Sequence, residues 1–137
     1  MKKLFFLFSI ITIVFSCSSK LAPDSTWKQQ RWVLTDMKGV PVQLGGGNRD
    51  AYIEFFPDED RFAGNGGCNR ISGNYKLEKD EIKFSDVLST KMACADINFE
   101  TTFLATLNSI NHYSVEDNSI FLKDGTKVVL TLTIKSK

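Results

Sequence analysis

The feature that most constrains the fold is a series of short segments in which apolar and polar residues alternate. The segments are residues 74–77, 81–84, 112–116, 119–122 and 127–134. Alternation with a period of two is typical of strands that bury one face. Turn residues separate the segments, and Asp124-Gly125 is a tight-turn dipeptide whose glycine accepts a positive φ. The pattern therefore predicts consecutive antiparallel hairpins.

Further strands are predicted upstream, at residues 32–34 and 51–56. A short edge segment is expected at residues 39–42, because Pro41 cannot donate to a ladder. Residues 57–60 contain three carboxylates but lack the spacing and the glycine of a calcium loop, so they are interpreted as a hairpin turn.

One stretch, residues 96–110, departs from this period. Its apolar side chains recur at helical spacing, with Asp96 as the expected N-cap. The apolar positions are Phe99, Phe103, Leu104 and Leu107, and Asn98, Glu100 and Asn108 are expected to face away from the core. The predicted fold is mainly β: an antiparallel meander curled into a small, cracked β-barrel with one amphipathic α-helix near 96–110. Curling hides the edges of such a sheet.

The N-terminus has the pattern of an export signal. Met1-Lys2-Lys3 precedes an apolar run over residues 4–15, which is shorter than the roughly 18 residues needed to span a bilayer. The run ends in Val14-Phe15-Ser16-Cys17, which resembles a bacterial lipobox. On that resemblance Cys17 is acylated and becomes the first mature residue; the alternative is an ordinary signal peptide with a cysteine by chance.

These features divide the chain into a lipoprotein signal peptide at 1–16, a lipidated tether at 17–26 and one domain at 27–137. Several acyl chains on Cys17 would hold the protein on a membrane without a transmembrane helix. The tether is small and polar, and contains Pro23. No Asp follows Cys17, so the expected location is the bacterial cell envelope, at the outer membrane and facing the periplasm.

Charge and composition exclude several functions. Of the 17 Lys and Arg residues, Lys2 and Lys3 belong to the signal, so the remainder balances the 16 Asp and Glu residues to within one charge. A neutral domain without a basic run is not expected to bind nucleic acid. With His112 as the only histidine and no nucleophile motif, neither a metal, a cofactor nor enzymatic activity is expected. A monomer is expected.

Two cysteines, Cys68 and Cys94, remain in the mature chain. Because an exported domain matures in an oxidising compartment, they are expected to form a disulfide. Two buried free thiols, or a redox or metal role, are the alternatives. A Cys-x-x-Cys motif is absent, so thioredoxin-like chemistry has no support.

The segments around the two cysteines resemble the META domain, also called the heat-shock HslJ-like family. The resemblance rests on residues 66–75 (GGCNRISGNY) and 89–94 (STKMAC), followed by Glu100 and Phe103-Leu104. It extends from Trp27 to about residue 134. It implies a small barrel-like β fold with a helix, similar to the cracked barrel of pilotin lipoproteins. It also implies export or lipid anchoring and an association with envelope stress, heat shock and drug tolerance. It implies no catalytic mechanism.

Asn69 and Arg70 have two interpretations. Structurally, Asn69 holds a tight turn through its amide, and Arg70 pairs with a carboxylate or caps carbonyl groups. Functionally, the two residues form a recognition patch beside Lys91. Two functions follow for the whole protein. The first is a non-catalytic envelope lipoprotein that binds a partner protein; the alternative is a carrier of a hydrophobic or lipid ligand in a barrel-like cavity.

Overall fold

The computed structural model describes residues 25–45, 50–94 and 97–134. This part of the chain contains nine strands and one α-helix. The strands are β1 (Arg31–Met37), β2 (Val40–Pro41), β3 (Tyr52–Phe56), β4 (Arg61–Asn65), β5 (Arg70–Glu78), β6 (Glu81–Ser89), β7 (His112–Glu116), β8 (Ser119–Asp124) and β9 (Lys127–Ile134), and the helix is α1 (Ile97–Ser109).

The strands form one antiparallel sheet that closes on itself. The order in the sheet is β2-β1-β3-β4-β5-β6-β7-β8-β9, and β1 also pairs with β9. Trp32, for example, lies opposite Ile53 of β3 on one side and Ile134 of β9 on the other. The prediction of an antiparallel meander curled on itself, with one helix, is confirmed, and β2 is the short edge segment expected at Pro41.

Pairing between neighbouring strands of the ring is sparse between β6 and β7. Glu81 and His112 are the only residue pair assigned to that ladder among the described residues. Two further backbone bonds, Ile82 N to Asn111 O at 3.1 Å and Tyr113 N to Asp80 O at 2.9 Å, hold the strands together beside it. Helix α1 connects these two strands and packs against β6. The sheet is therefore a cracked ring whose opening coincides with its helical connection.

Large side chains fill the inside of the ring. The fully buried ones are Trp32, Leu34, Ile53, Phe62, Ile71, Ile82, Phe103, Leu107, Ile120, Leu122, Leu130 and Leu132. Burying a side chain of this size contributes about 1.5–3 kcal/mol relative to leaving it in water. Trp27 comes from a 3-10 turn (Ser25–Gln29) and packs edge-on against Phe55 at 5.3 Å between ring centroids.

Helix α1 buries Phe103 and Leu107, as the spacing predicts. It also buries Glu100, whose side chain was expected to face solvent, so that prediction is wrong. Glu100 lies three residues before Phe103 and seven before Leu107, which places it on the same helical stripe. The carboxylate meets the loop between β4 and β5. The proposed N-cap, Asp96, lies outside the described residues.

The predictions for the N-terminus also lie outside the described residues: the signal peptide, the acylated Cys17 and most of the tether. Within the described ranges, no helix combines the length and apolar character that crossing a membrane requires.

Candidate functional site

The two cysteine segments meet at one end of the ring. Cys68, in the loop between β4 and β5, forms a disulfide with Cys94, in the segment between β6 and α1, with 6.1 Å between their Cα atoms. The structure therefore contains the expected pairing. The disulfide attaches the segment after β6 to the start of β5.

Beneath the disulfide lies the buried carboxylate of Glu100, which is only 3% exposed. One oxygen accepts hydrogen bonds from Asn69 Nδ2 at 3.0 Å and Ser89 Oγ at 2.8 Å. The other accepts the backbone N–H of Asn69 at 2.7 Å. The backbone N–H of Cys68 also favours the charged form of this carboxylate. One side chain of α1 thus holds the β4–β5 loop and the end of β6 together.

The protonation of Glu100 follows from these contacts. Burial alone raises the pKa of this carboxyl group. The hydrogen bonds from Asn69 and Ser89, together with the nearby backbone N–H of Cys68, favour the charged form and outweigh burial, so the pKa lies below the ordinary value. Glu100 is therefore an ionised acceptor at neutral pH.

Asn69 is the second centre of this network and is 1% exposed. Its Oδ1 accepts the backbone N–H of Met92 at 2.7 Å and the hydroxyl of Thr90 at 3.1 Å. Its Nδ2 donates to Glu100 and, at 3.3 Å, to Cys94 Sγ. The structure therefore places Asn69 in the structural role and turns its amide inward.

The glycines of the first segment make room for this network. A Cβ on Gly66 would lie 2.7 Å from Cγ of Glu100, and one on Gly67 would lie 2.9 Å from the ring of Phe99. Gly67 also has φ +108°, a conformation that L side chains rarely adopt. The loop therefore needs glycine in order to approach α1.

On the outer surface above this network lies an open groove of about 700 Å³. It crosses four strands, and cross-strand pairing arranges its residues in two rows. In the first row Glu54 lies opposite Ala63, Ala63 opposite Ser72 and Ser72 opposite Leu88.

The second row runs from Tyr52 through Asn65 and Arg70 to Thr90. Tyr52 lies opposite Asn65, and Asn65 opposite Arg70. Arg70 and Thr90 are joined by two hydrogen bonds, from Arg70 N to Thr90 Oγ1 at 3.1 Å and from Thr90 N to Arg70 O at 3.0 Å. Met92 completes the wall of the groove. The small side chains Ala63 and Ser72 lie in the middle of the first row, between larger groups at its ends.

A β-bulge explains why Leu88 faces the groove. Ile82 and Phe84 point into the core, so regular alternation would also point Leu88 inward. The register between β5 and β6 shifts at this point, and Asp86 has φ 51°. The extra residue reverses the alternation, so Leu88 becomes 67% exposed. Asn74 Nδ2 donates to Asp86 Oδ2 at 2.9 Å and supports the bulge.

Of the two charged side chains that line the groove, Glu54 is paired and Arg70 is not, within the described ranges. At one end Arg31 Nε donates to Glu54 at 2.6 Å, and the same guanidinium lies 4.2 Å from the centroid of the Tyr52 ring. Arg70 is exposed, and its guanidinium makes no ion pair or hydrogen bond with the residues described. The expected pairing of Arg70 with a carboxylate is thus not found in this part of the chain. The groove offers a solvent-facing cation beside apolar and hydroxyl groups.

The remaining candidates lie elsewhere. Lys91 is exposed beside the groove but is not among its lining residues. His112 begins β7 beside this opening, and its Nδ1–H donates to Asn111 Oδ1 at 2.7 Å. Across the described ranges, no group of three or more His, Cys, Asp or Glu side chains is arranged to hold a metal ion.

Comparison with known proteins identifies the same architecture elsewhere. Residues 25–137 match the family model described as META domain. One NMR structure is 25% identical, covers 78% of this chain and 90% of its own, and has a TM-score of 0.62. A second, from Burkholderia xenovorans, is 20% identical, covers 88% of this chain and 96% of its own, and has a TM-score of 0.61; at that identity it shows the fold alone. No functionally curated protein matches the chain.

Proposed function

The chain belongs to the META domain family, and from that premise we propose that it is a non-catalytic binding protein of the bacterial cell envelope. It recognises a partner protein through the outer groove beside Arg70. The lipid on Cys17 keeps this surface close to a membrane, where a role in envelope stress or drug tolerance would be exercised.

One observation supports this proposal: in the two cysteine segments, some residues stabilise the backbone from the inner side, and their neighbours are exposed in the groove. The side chain of Asn69 faces inward, and the disulfide joins the two segments, so that both fix the backbone. Their neighbours Arg70, Thr90 and Met92 line the groove. A rigid network beneath an exposed, mixed surface is the arrangement that a recognition site needs. Met92, at 58% exposed, and Leu88 provide apolar contact area of the kind that marks interaction sites.

The filled ring is the reason for preferring surface recognition to carriage of a lipid. Carriage requires an interior space, whereas the inward positions hold side chains such as Trp32, Phe62 and Phe103 that are fully buried against one another. The groove, by contrast, opens to solvent.

The proposal is tested by photo-crosslinking in cells. A photoreactive amino acid replaces Leu88 in the full-length chain, and a matched variant carries it at Val128, an exposed apolar residue of β9 that does not line the groove. We expect a discrete protein adduct from position 88 that is absent from position 128. Identical adduct patterns at both positions, or no adduct at position 88, would refute recognition through the groove.

Anchoring is tested separately by fractionation. Cys17→Ser should move the protein from the membrane fraction to the soluble fraction, because the acyl chains supply the membrane affinity. Unchanged membrane association of that variant would refute the lipid anchor while leaving the groove untouched.

A further inference from the structure

We infer that the groove binds an extended segment of a partner protein in which a carboxylate and a bulky apolar side chain lie two residues apart. This inference rests on the proposed function and names the chemistry of its partner. It follows from the positions of Arg70 and Leu88 in the two rows of the groove.

The spacing of the two groups comes from the sheet register. Ser72 lies opposite Leu88, and Arg70, two residues before Ser72, is bonded to Thr90. Arg70 and Leu88 are thus diagonal neighbours across β5 and β6, with side-chain origins roughly 7–8 Å apart. In an extended peptide, side chains at positions i and i+2 point to the same side and lie about 6.6 Å apart. One such pair can therefore reach both groups.

The negative charge expected of the partner is inferred from Arg70. Glu54 is already paired with Arg31, so its carboxylate does not compete for Arg70. The buried carboxylate of Glu100 receives its hydrogen bonds from the inner side of the loop. A guanidinium presents a planar fork of donors that matches a carboxylate in a bidentate manner. The hydroxyl of Thr90 and the amide of Asn65 lie in the same row and add polar groups beside it.

The shape of the groove favours a peptide over a compact small molecule. Four adjacent strands span roughly 14 Å, the length of about four extended residues. The central positions, Ala63 and Ser72, are small, so a backbone can approach the sheet between the larger ends. Small-molecule sites instead bury most of the ligand surface in an enclosed cleft, whereas this groove is open.

The experiment titrates the isotope-labelled full chain, in detergent micelles, with two blocked peptides, Ac-Ala-Leu-Ser-Glu-Ala-NH2 and Ac-Ala-Glu-Ser-Leu-Ala-NH2, and follows amide resonances by NMR. We expect one of the two orders to shift resonances of groove residues. The analogue with Gln in place of Glu should bind about tenfold to hundredfold more weakly, since a charge-assisted pair is lost.

Variants of the protein test which side chain binds the carboxylate of the peptide. Arg70→Gln should weaken binding of the Glu peptide to the level of its Gln analogue, and Arg70→Lys should give an intermediate affinity because charge remains without the fork. The control is Arg61→Gln, an exposed arginine on β4 that pairs with Glu59 and does not line the groove; it should leave binding unchanged.

Two results would overturn the inference: neither peptide order shifts groove resonances at millimolar concentration, or the Glu and Gln peptides bind equally well. If the Leu88 crosslinker still captures a protein in that case, recognition through the groove stands and only the partner chemistry is wrong. If crosslinking also fails, the proposed function fails with it.

Discussion

Replacement of Glu100 is the sharpest test of how the cysteine segments are held. Glu100→Ala removes an acceptor used by three donors, and the three are affected differently. Ser89 Oγ already lies 2.9 Å from the carbonyl oxygen of Thr90 and keeps that bond. Asn69 Nδ2 keeps only a weak contact with Cys94 Sγ. The backbone N–H of Asn69 loses its buried acceptor.

The magnitude follows from those donors. A buried donor without an acceptor costs about 1–3 kcal/mol. With the backbone N–H and the side-chain Nδ2 of Asn69 both affected, Glu100→Ala should lower the free energy of unfolding by about 4 kcal/mol. Glu100→Gln keeps one carbonyl oxygen, which can still accept the backbone N–H of Asn69, and should lower it by about 2 kcal/mol. A typical domain has about 5–15 kcal/mol in total, so both changes are measurable.

The assay is urea denaturation followed by tryptophan fluorescence, because Trp27 and Trp32 are both buried. The slope with urea must stay constant for the difference to report stability. Glu116→Gln, at an exposed position ending β7, is the control and should stay within about 0.5 kcal/mol of the wild type. If Glu100→Gln is as stable as Glu116→Gln, the carboxylate does not hold the loop and the reasoning is wrong.

Three further predictions concern the same network. The pKa of Glu100 is lowered in the folded state, so its ionisation stabilises the fold above the ordinary glutamate pKa of 4.5, and this stability is lost as pH falls through the lower folded pKa. The urea midpoint of the wild type should therefore fall more steeply below about pH 4.5 than that of Glu100→Gln. Parallel curves of midpoint against pH would contradict this. Gly67→Ala should destabilise the domain by about 2–3 kcal/mol through its positive φ and the ring of Phe99, whereas Gly125→Ala, with φ +60° and open space, should cost about 1 kcal/mol; equal losses in urea denaturation would remove the contact argument. The double replacement of Cys68 and Cys94 by Ser should cost about 3.5 kcal/mol for a separation of 26 residues, and quantitative thiol labelling of the denatured, unreduced wild type would show that no disulfide forms.

Local patterns predicted most of the fold because each hairpin is specified by neighbours in the chain. The alternating segments and the turn at Asp124-Gly125 correspond to real strands and to a positive φ at Gly125. The apolar stripe of α1 predicted Phe103 and Leu107 as core residues. These features depend on periods of two and 3.6 residues, which are visible without knowing the tertiary structure.

The burial of Glu100 was missed because the helix was interpreted by apolar content alone. A carboxylate on the buried stripe is favourable only if donors meet it, and these come from Asn69, 31 residues earlier in the chain, and from Ser89 at the end of β6. The spacing to Phe103 was the available sign. The outward direction of the Leu88 side chain could not be predicted for a related reason. It depends on a bulge at Asp86, and a bulge is defined by the register between β5 and β6, which the sequence of one strand does not give.

The buried hydrogen-bond network and the groove are structurally coupled, because the same short segments form both. Asn69 turns inward and its neighbour Arg70 turns outward, since consecutive residues at the start of a strand face opposite sides of the sheet. Fixing the amide of Asn69 against Met92 and Glu100 therefore also fixes where Arg70 leaves the sheet. Substitutions beneath the groove should weaken the proposed binding by displacing Arg70, even though they touch no partner.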